Sequence, residues 1–215
     1  PPIEGVKARL GAVVLYPFLD LDLDLYLLTL LSVYFGIYEM AGPKSLIGQA
    51  APAVTLPSAT DEQFELDPAT AGRPTVIFFF PAAGTFGCTK EACSFRDALS
   101  SNELYKTQNV QIVGISGDAV AKQKAFVDAQ GLPYPMLCDT DGEARKKYQV
   151  GKGLLGFARV TFCVDKEGVV RNVFDSSLQF MAHEKAVAKW LATLPKPGPA
   201  GEPDAPEATE PNPEL

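Results

Sequence analysis

Apolar and polar positions alternate along this chain in blocks of recognisable period. Residues 75–80 (TVIFFF) are β-branched or aromatic almost throughout, the pattern of a strand buried on both faces. Residues 110–116 (VQIVGIS) read as a second such strand. Residues 159–164 and 169–174 read as two more, joined by a hairpin with Gly168 at the position that favours left-handed backbone. Residues 52–56 and 63–66 predict a short hairpin ahead of them. Helical periodicity occupies 88–104, 119–130 and 141–148, and a last amphipathic stretch runs over 180–194, with Trp190, Leu191 and Leu194 as its buried face. Strands alternating with helices predict an α/β architecture with a small central sheet flanked by helices.

The flanks follow neither period. Residues 195–215 hold seven prolines, five acids and one lysine, a composition that cannot offset its own ordering entropy, and a disordered acidic tail is expected there. Residues 1–39 carry two basic and five acidic groups around a very apolar stretch. The uninterrupted apolar run, residues 25–38, is 14 residues long. That falls short of the ~20 a membrane span needs, and extending it backward would bury Asp20, Asp22 and Asp24. An extension apart from the chemistry is expected, with membrane association by this segment as the alternative. Without the flanks, residues 40–194 form a core domain with no net charge.

Composition narrows the chemistry. The whole chain has 19 Lys+Arg against 26 Asp+Glu, net −7, which excludes the basic face that nucleic-acid binding requires. A single histidine excludes most zinc sites and Ser-His-Asp triads, and the cysteine spacings suggest no metal; no cofactor is expected. Four cysteines are too few for a disulfide-built scaffold in a chain of 215 residues. Sulfur is the remaining candidate nucleophile.

The informative stretch follows residues 75–80. There a strand ends, a loop containing Pro81, Gly84 and Thr85 follows, and a helix begins near Cys88. A cysteine in the first turn of a helix meets unpaired backbone N–H groups and the positive end of the macrodipole, both of which favour the thiolate. Pro81 fixes the chain direction and can shield the sulfur, and Thr85 is placed to aim its hydroxyl at the same pocket. The competing reading makes Cys88 one more buried core thiol; the glycines flanking Thr85 argue against it, since they let backbone approach a ligand closely.

Pro81-x-x-x-Thr85-x-x-Cys88 resembles the peroxidatic signature of the peroxiredoxins. The longer run over residues 87–97 (GCTKEACSFRD) is similar to the bacterioferritin-comigratory, or Q-type, branch, although Phe86 stands where that branch usually has proline. The resemblance covers roughly residues 45–194. It implies a thioredoxin-like fold, a central mixed β-sheet flanked by helices with an N-terminal β-hairpin. It also implies a thiol peroxidase acting on hydrogen peroxide and small organic hydroperoxides, with a thioredoxin-like dithiol as reductant. Cys88 would be the peroxidatic nucleophile, Thr85 the hydroxyl that orients the peroxide and Pro81 the shield. Arg159 would stabilise the charge on the departing oxygen and Glu91 would orient the arginine; a surface salt bridge and a first-turn acid are the competing readings. Cys93 would be the resolving cysteine. Residues five apart on an intact helix have Cα atoms about 8.6 Å apart, beyond the ~7 Å limit for a disulfide. The helix must therefore unwind locally in each cycle, unless Cys93 is a structural residue and another thiol resolves. An intramolecular link needs no dimer, so a monomer is expected, in a compartment that supplies reductant: cytosol, nucleus or an organelle matrix.

Cys138 and Cys163 are expected in the core, and His183 as a hydrogen-bonded or surface residue. Thiol–disulfide oxidoreductase and redox-sensing binding protein of the same fold are the alternative functions.

Overall fold

A computed structural model describes residues 42–153 and 156–196. The expectations for residues 1–39 and for the tail beyond residue 196 lie outside them. The described residues build a five-stranded mixed sheet in the order β5-β4-β3-β8-β9, comprising Met136–Cys138, Gln111–Ser116, Thr75–Phe79, Val160–Val164 and Val170–Asp175. β3 pairs in parallel with β4 and antiparallel with β8, with Phe79 opposite both Ile115 and Val160. β1 (Val54–Pro57) and β2 (Gln63–Leu66) form the expected hairpin, and β6 (Lys152–Gly153) and β7 (Gly156–Phe157) a second, very short one.

Burial of every residue of β3 follows from its central place, with side chains alternating between two cores. Val76, Phe78 and Phe80 pack on one face with Phe95, Phe126 and Trp190. Ile77 and Phe79 pack on the other with Tyr148 and Phe162. The first face is covered by three helices: α1 (Phe86–Ser101), α3 (Val120–Gln130) and α5 (Ala182–Leu191). Gly114 is required in β4, because a Cβ there would lie 2.4 Å from Met136 Sδ and 2.7 Å from Phe78 Cζ. Gly168 closes the β8–β9 turn at φ +80°, with Ala69 backbone packed directly over it.

The expected helix over 88–104 is two helices. Ser100 and Ser101 both donate their hydroxyls back to the carbonyl of Asp97, and Asn102 leaves helical geometry. Its side chain then caps α2 (Glu103–Thr107) by accepting from Leu104 N–H at 3.0 Å. The short α4 (Glu143–Lys147) starts at Gly142, inside the region expected to be helical. Trp190 and Leu191 are buried as expected, and Leu194 is partly buried beyond the end of α5.

Candidate active site

β3 delivers the chain to the site. Phe80 N–H still donates to Ile115 at 3.1 Å. Pro81 then ends the ladder because it has no N–H to give, and its ring is half-buried. The loop is held from behind by Asp118. Its carboxylate accepts the Ala83 N–H at 2.6 Å and the Ser116 hydroxyl at 2.9 Å, and pairs with Lys122 at 2.6 Å. These donors outweigh burial and hold the Asp118 carboxyl below the usual range. Gly84, at φ +80°, makes the turn into α1. Thr85 caps that helix by position, but its exposed hydroxyl donates back to Ala82 C=O at 3.1 Å.

Cys88 is the third residue of α1, which opens with Thr89 N–H on Thr85 C=O at 2.8 Å. Its N–H therefore belongs to the first turn that the helix ladder leaves unpaired. Its side chain is 1% exposed and belongs to the same apolar cluster as Phe80 and Phe95. Burial alone would suit a core thiol, but the sulfur meets a cation: Arg159 Nη2 donates to Cys88 Sγ at 3.3 Å. Gly87 makes room for that approach. A Cβ there would lie 3.3 Å from the same nitrogen and 3.1 Å from the Phe180 ring.

Arg159, just before β8, is 4% exposed, so a surface salt bridge does not describe it. Its Nη1 pairs closely with Glu91 Oε2, and its Nε reaches Ser177 C=O at 3.4 Å. Burial opposes its charge, yet Glu91 and Cys88 outweigh burial and hold the guanidinium above its ordinary range. Glu91 is completely buried, which removes the first-turn, dipole-facing alternative. Burial pushes its carboxyl up to about 8 against the pull of Arg159.

His183 completes the cluster, and no sequence reading placed it there. It lies wholly buried at the start of α5, with Nδ1 2.8 Å from the Thr161 hydroxyl and 3.3 Å from Glu91 Oε1. Nε2 is 2.9 Å from Ser176 C=O. Burial drives its ring down to about 4, with Arg159 acting in the same direction and the Ser176 bond against it. A lone histidine gives no sequence period to detect; its position after β9, two strands from β3, is the only cue.

Cys93 sits one and a half turns further along α1, half-buried, with Sγ donating to Gln130 Oε1 at 3.5 Å. Two further bonds fasten that stretch of helix: Tyr134 hydroxyl to Ala92 C=O at 2.7 Å and Arg96 Nη1 to Gln130 C=O at 2.6 Å. Both cysteines are free thiols on an unbroken helix. Cys138 and Cys163 are buried, and burial pushes their thiols up to about 11 and about 12, where neither is a nucleophile at neutral pH. Phe86 is 72% exposed and stands edge-on to Phe180 at 5.8 Å, forming an aromatic lip beside Gly87. No cluster of metal-ligating side chains occurs among the described residues.

Known proteins share this arrangement of sequence and fold. The AhpC/TSA family matches residues 47–173. A chloroplastic peroxiredoxin Q of Populus jackii is 38% identical over 149 residues, 68% of each chain. Among solved structures, the peroxidoxin BcpB of Mycobacterium tuberculosis superposes with a TM-score of 0.63 at 34% identity, covering 70% of this chain and 98% of that one. The bacterioferritin comigratory protein of Xanthomonas campestris, described with an alkyl peroxide reduction activity, gives 0.57 at 29% identity, covering 65% of this chain and 90% of that one.

Proposed function

The chain belongs to the AhpC/TSA family, and from that premise we propose that it is a thiol peroxidase whose nucleophile is Cys88. The observation that supports this most directly is a buried sulfur in the first turn of a helix with Arg159 Nη2 3.3 Å away. A fixed guanidinium stabilises negative charge on the sulfur and on an oxygen departing beside it, in a site that excludes water.

The Cys88 thiolate attacks one oxygen of the peroxide and breaks the O–O bond. That oxygen stays on sulfur as a sulfenic acid, and the other leaves with the bonding electrons, becoming water or an alcohol on protonation. Thr85 takes part by exchanging its bond to Ala82 for one to the peroxide, and Pro81 walls the loop. Cys93 then attacks the sulfenic sulfur, expelling water and forming a disulfide. An external thioredoxin-like dithiol returns both thiols by exchange. Because Cys88 and Cys93 share one intact helix, the disulfide needs that helix to open between them. The Gln130, Tyr134 and Arg96 bonds keep it closed until then. The four residues between the cysteines speak against the Cys-x-x-Cys chemistry of a thiol–disulfide oxidoreductase.

Hydrogen peroxide and small organic hydroperoxides are the proposed substrates. One chain suffices for the cycle, so the proposed unit is a monomer. No helix among the described residues is long and apolar enough to cross a membrane. A compartment that supplies reductant is proposed, cytosol, nucleus or an organelle matrix, the Populus relative being chloroplastic by name. Reduced protein should consume hydrogen peroxide stoichiometrically, and with thioredoxin and its reductase should do so catalytically. Unchanged consumption in Cys88→Ser would refute the assignment.

A further inference from the structure

One peptide unit in the loop before Cys88 is held from both ends. Its C=O, on Ala82, accepts the Thr85 hydroxyl at 3.1 Å, and its N–H, on Ala83, donates to Asp118 Oδ2 at 2.6 Å. The peptide is a rigid plane, so a grip on the N–H also fixes the direction of the C=O. The direction of that carbonyl in turn decides where the Thr85 hydroxyl rests, at the N-terminus of the helix that carries Cys88. Neither hydrogen bond is local in the same sense: the first spans three residues, the second reaches 35 residues across to another element.

Asp118 is itself fixed to the sheet. It stands two residues past the end of β4, and its own N–H donates to the Ser116 hydroxyl oxygen at 3.3 Å. The single proton of that hydroxyl goes to Asp118 Oδ2 at 2.9 Å, ahead of the 3.4 Å contact with Gln123. Ser116 is 1% exposed and follows Ile115, whose carbonyl takes the last ladder bond from Phe80 N–H. Oδ2 therefore serves strand and loop together with its two lone pairs, while Oδ1 pairs with the exposed Lys122. Without Asp118 the Ala83 N–H, on a residue 5% exposed, would lose its acceptor at the full desolvation cost. Gly84, at φ +80°, is the pivot beside it, and a peptide turning to find water would carry the Ala82 carbonyl away from Thr85.

We propose that Asp118 is a positioning residue for the peroxide reaction: it holds the Ala82–Ala83 peptide and through it sets the place from which the Thr85 hydroxyl meets the peroxide. Asp118 acts through Thr85 and not on Cys88 or Arg159. The role needs an acceptor at Oδ2 and not a negative charge, because the two groups brought to that oxygen, Ala83 N–H and Ser116 O–H, are neutral donors. The functional half rests on the peroxidase reading; the hold on the peptide does not.

A double-mutant cycle between Asp118→Ala and Thr85→Val, read as single-turnover oxidation of the reduced full chain by hydrogen peroxide, tests the functional half. Each single variant should react about tenfold more slowly than wild type, or slower still. The double variant should stay within about threefold of Thr85→Val, since no hydroxyl is left to position. Asp118→Asn, whose amide oxygen accepts both donors, should return the rate to within about threefold of wild type. Losses that multiply in the double variant, a wild-type rate in Asp118→Ala, or an Asp118→Asn protein as slow as Asp118→Ala would each overturn this half. Amide hydrogen exchange by NMR tests the hold itself. The Ala83 N–H should be protected in wild type and in Thr85→Val, and should exchange about tenfold faster or more in Asp118→Ala. An unprotected Ala83 N–H in wild type overturns the proposal even if the alanine variant fails to fold. A wild-type protein that consumes no peroxide would instead sink the peroxidase reading, with the exchange result still standing on its own.

Discussion

Replacing Arg159 by Gln removes the cation from Cys88 while keeping a planar, hydrogen-bonding side chain. At 3.3 Å the guanidinium–thiolate attraction amounts to about 5 kcal/mol for an effective dielectric of about 20. Water admitted to the vacated space and the helix N-terminus recover part of this. If roughly half is lost from the transition state, the second-order rate constant falls about 100-fold, at about 1.4 kcal/mol per factor of ten. Removing one donor to a developing oxyanion costs a similar 10²–10³-fold in other enzymes, so the two routes agree. Arg159→Lys should recover only part of the rate, because one ammonium cannot reach Cys88 Sγ and Glu91 Oε2 with separate nitrogens as the guanidinium does. The assay is a single turnover: reduced protein is mixed with hydrogen peroxide, quenched with an alkylating reagent, and Cys88 oxidation is read by peptide mass. A folded Arg159→Gln protein reacting within threefold of wild type would refute the electrostatic argument.

Other parts of the structure give predictions of different kinds. Tyr134→Phe deletes the bond to Ala92 C=O, worth about 1 kcal/mol, and should raise the unwound population and the sulfenic-to-disulfide rate about fivefold in stopped-flow measurements. An unchanged rate would mean that this turn does not open. Glu91, raised to about 8 in the fold from an ordinary 4.5, keeps a proton that the unfolded chain releases. It therefore stabilises the fold fully below pH 4.5 and loses that contribution as pH rises through about 8. His183, lowered from 6.5 to about 4, contributes the opposite slope between those values. The net fall should therefore appear between pH 6.5 and 8, at about 2 kcal/mol by urea unfolding. Glu91→Gln should flatten it. Cys138→Ala/Cys163→Ala should consume the same one equivalent of peroxide as wild type, because both thiols stay protonated in the core. A loss of stoichiometry would give one of them a redox role.

How far the site could be read from sequence differs residue by residue. β3, β4 and the β8–β9 hairpin were legible because a strand buried on both faces writes an unbroken apolar run. Cys88, Arg159 and Glu91 were reachable through the motif run and the family resemblance. Only packing shows that the three meet, since Arg159 lies just before β8, more than 70 residues after Cys88. Asp118 and Tyr134 left no trace, and His183 was expected only as a hydrogen-bonded or surface residue, with no place in the site: a buried polar residue is defined by partners distant in sequence, and none of the three sits in a motif. The break of the first helix at Asn102 was missed for a related reason. The expected helix runs on to Leu104 across four polar residues, 100–103 (SSNE), whose serines and asparagine compete locally for backbone hydrogen bonds. Phe86 read as a departure from the usual proline, and the structure shows what replaces it, a ring paired with Phe180 at the mouth of the site.

The central claim is that Cys88 takes the oxygen and Cys93, on the same helix, resolves it. Peptide mass spectrometry under non-reducing conditions, after adding one equivalent of hydrogen peroxide to reduced protein, tests it most directly. The account predicts a Cys88–Cys93 crosslink within one chain, with Cys138 and Cys163 still reduced. Cys88 recovered as an untouched thiol would contradict it outright, and Cys88 as a sulfinic acid or bonded to another thiol would remove Cys93 from the cycle.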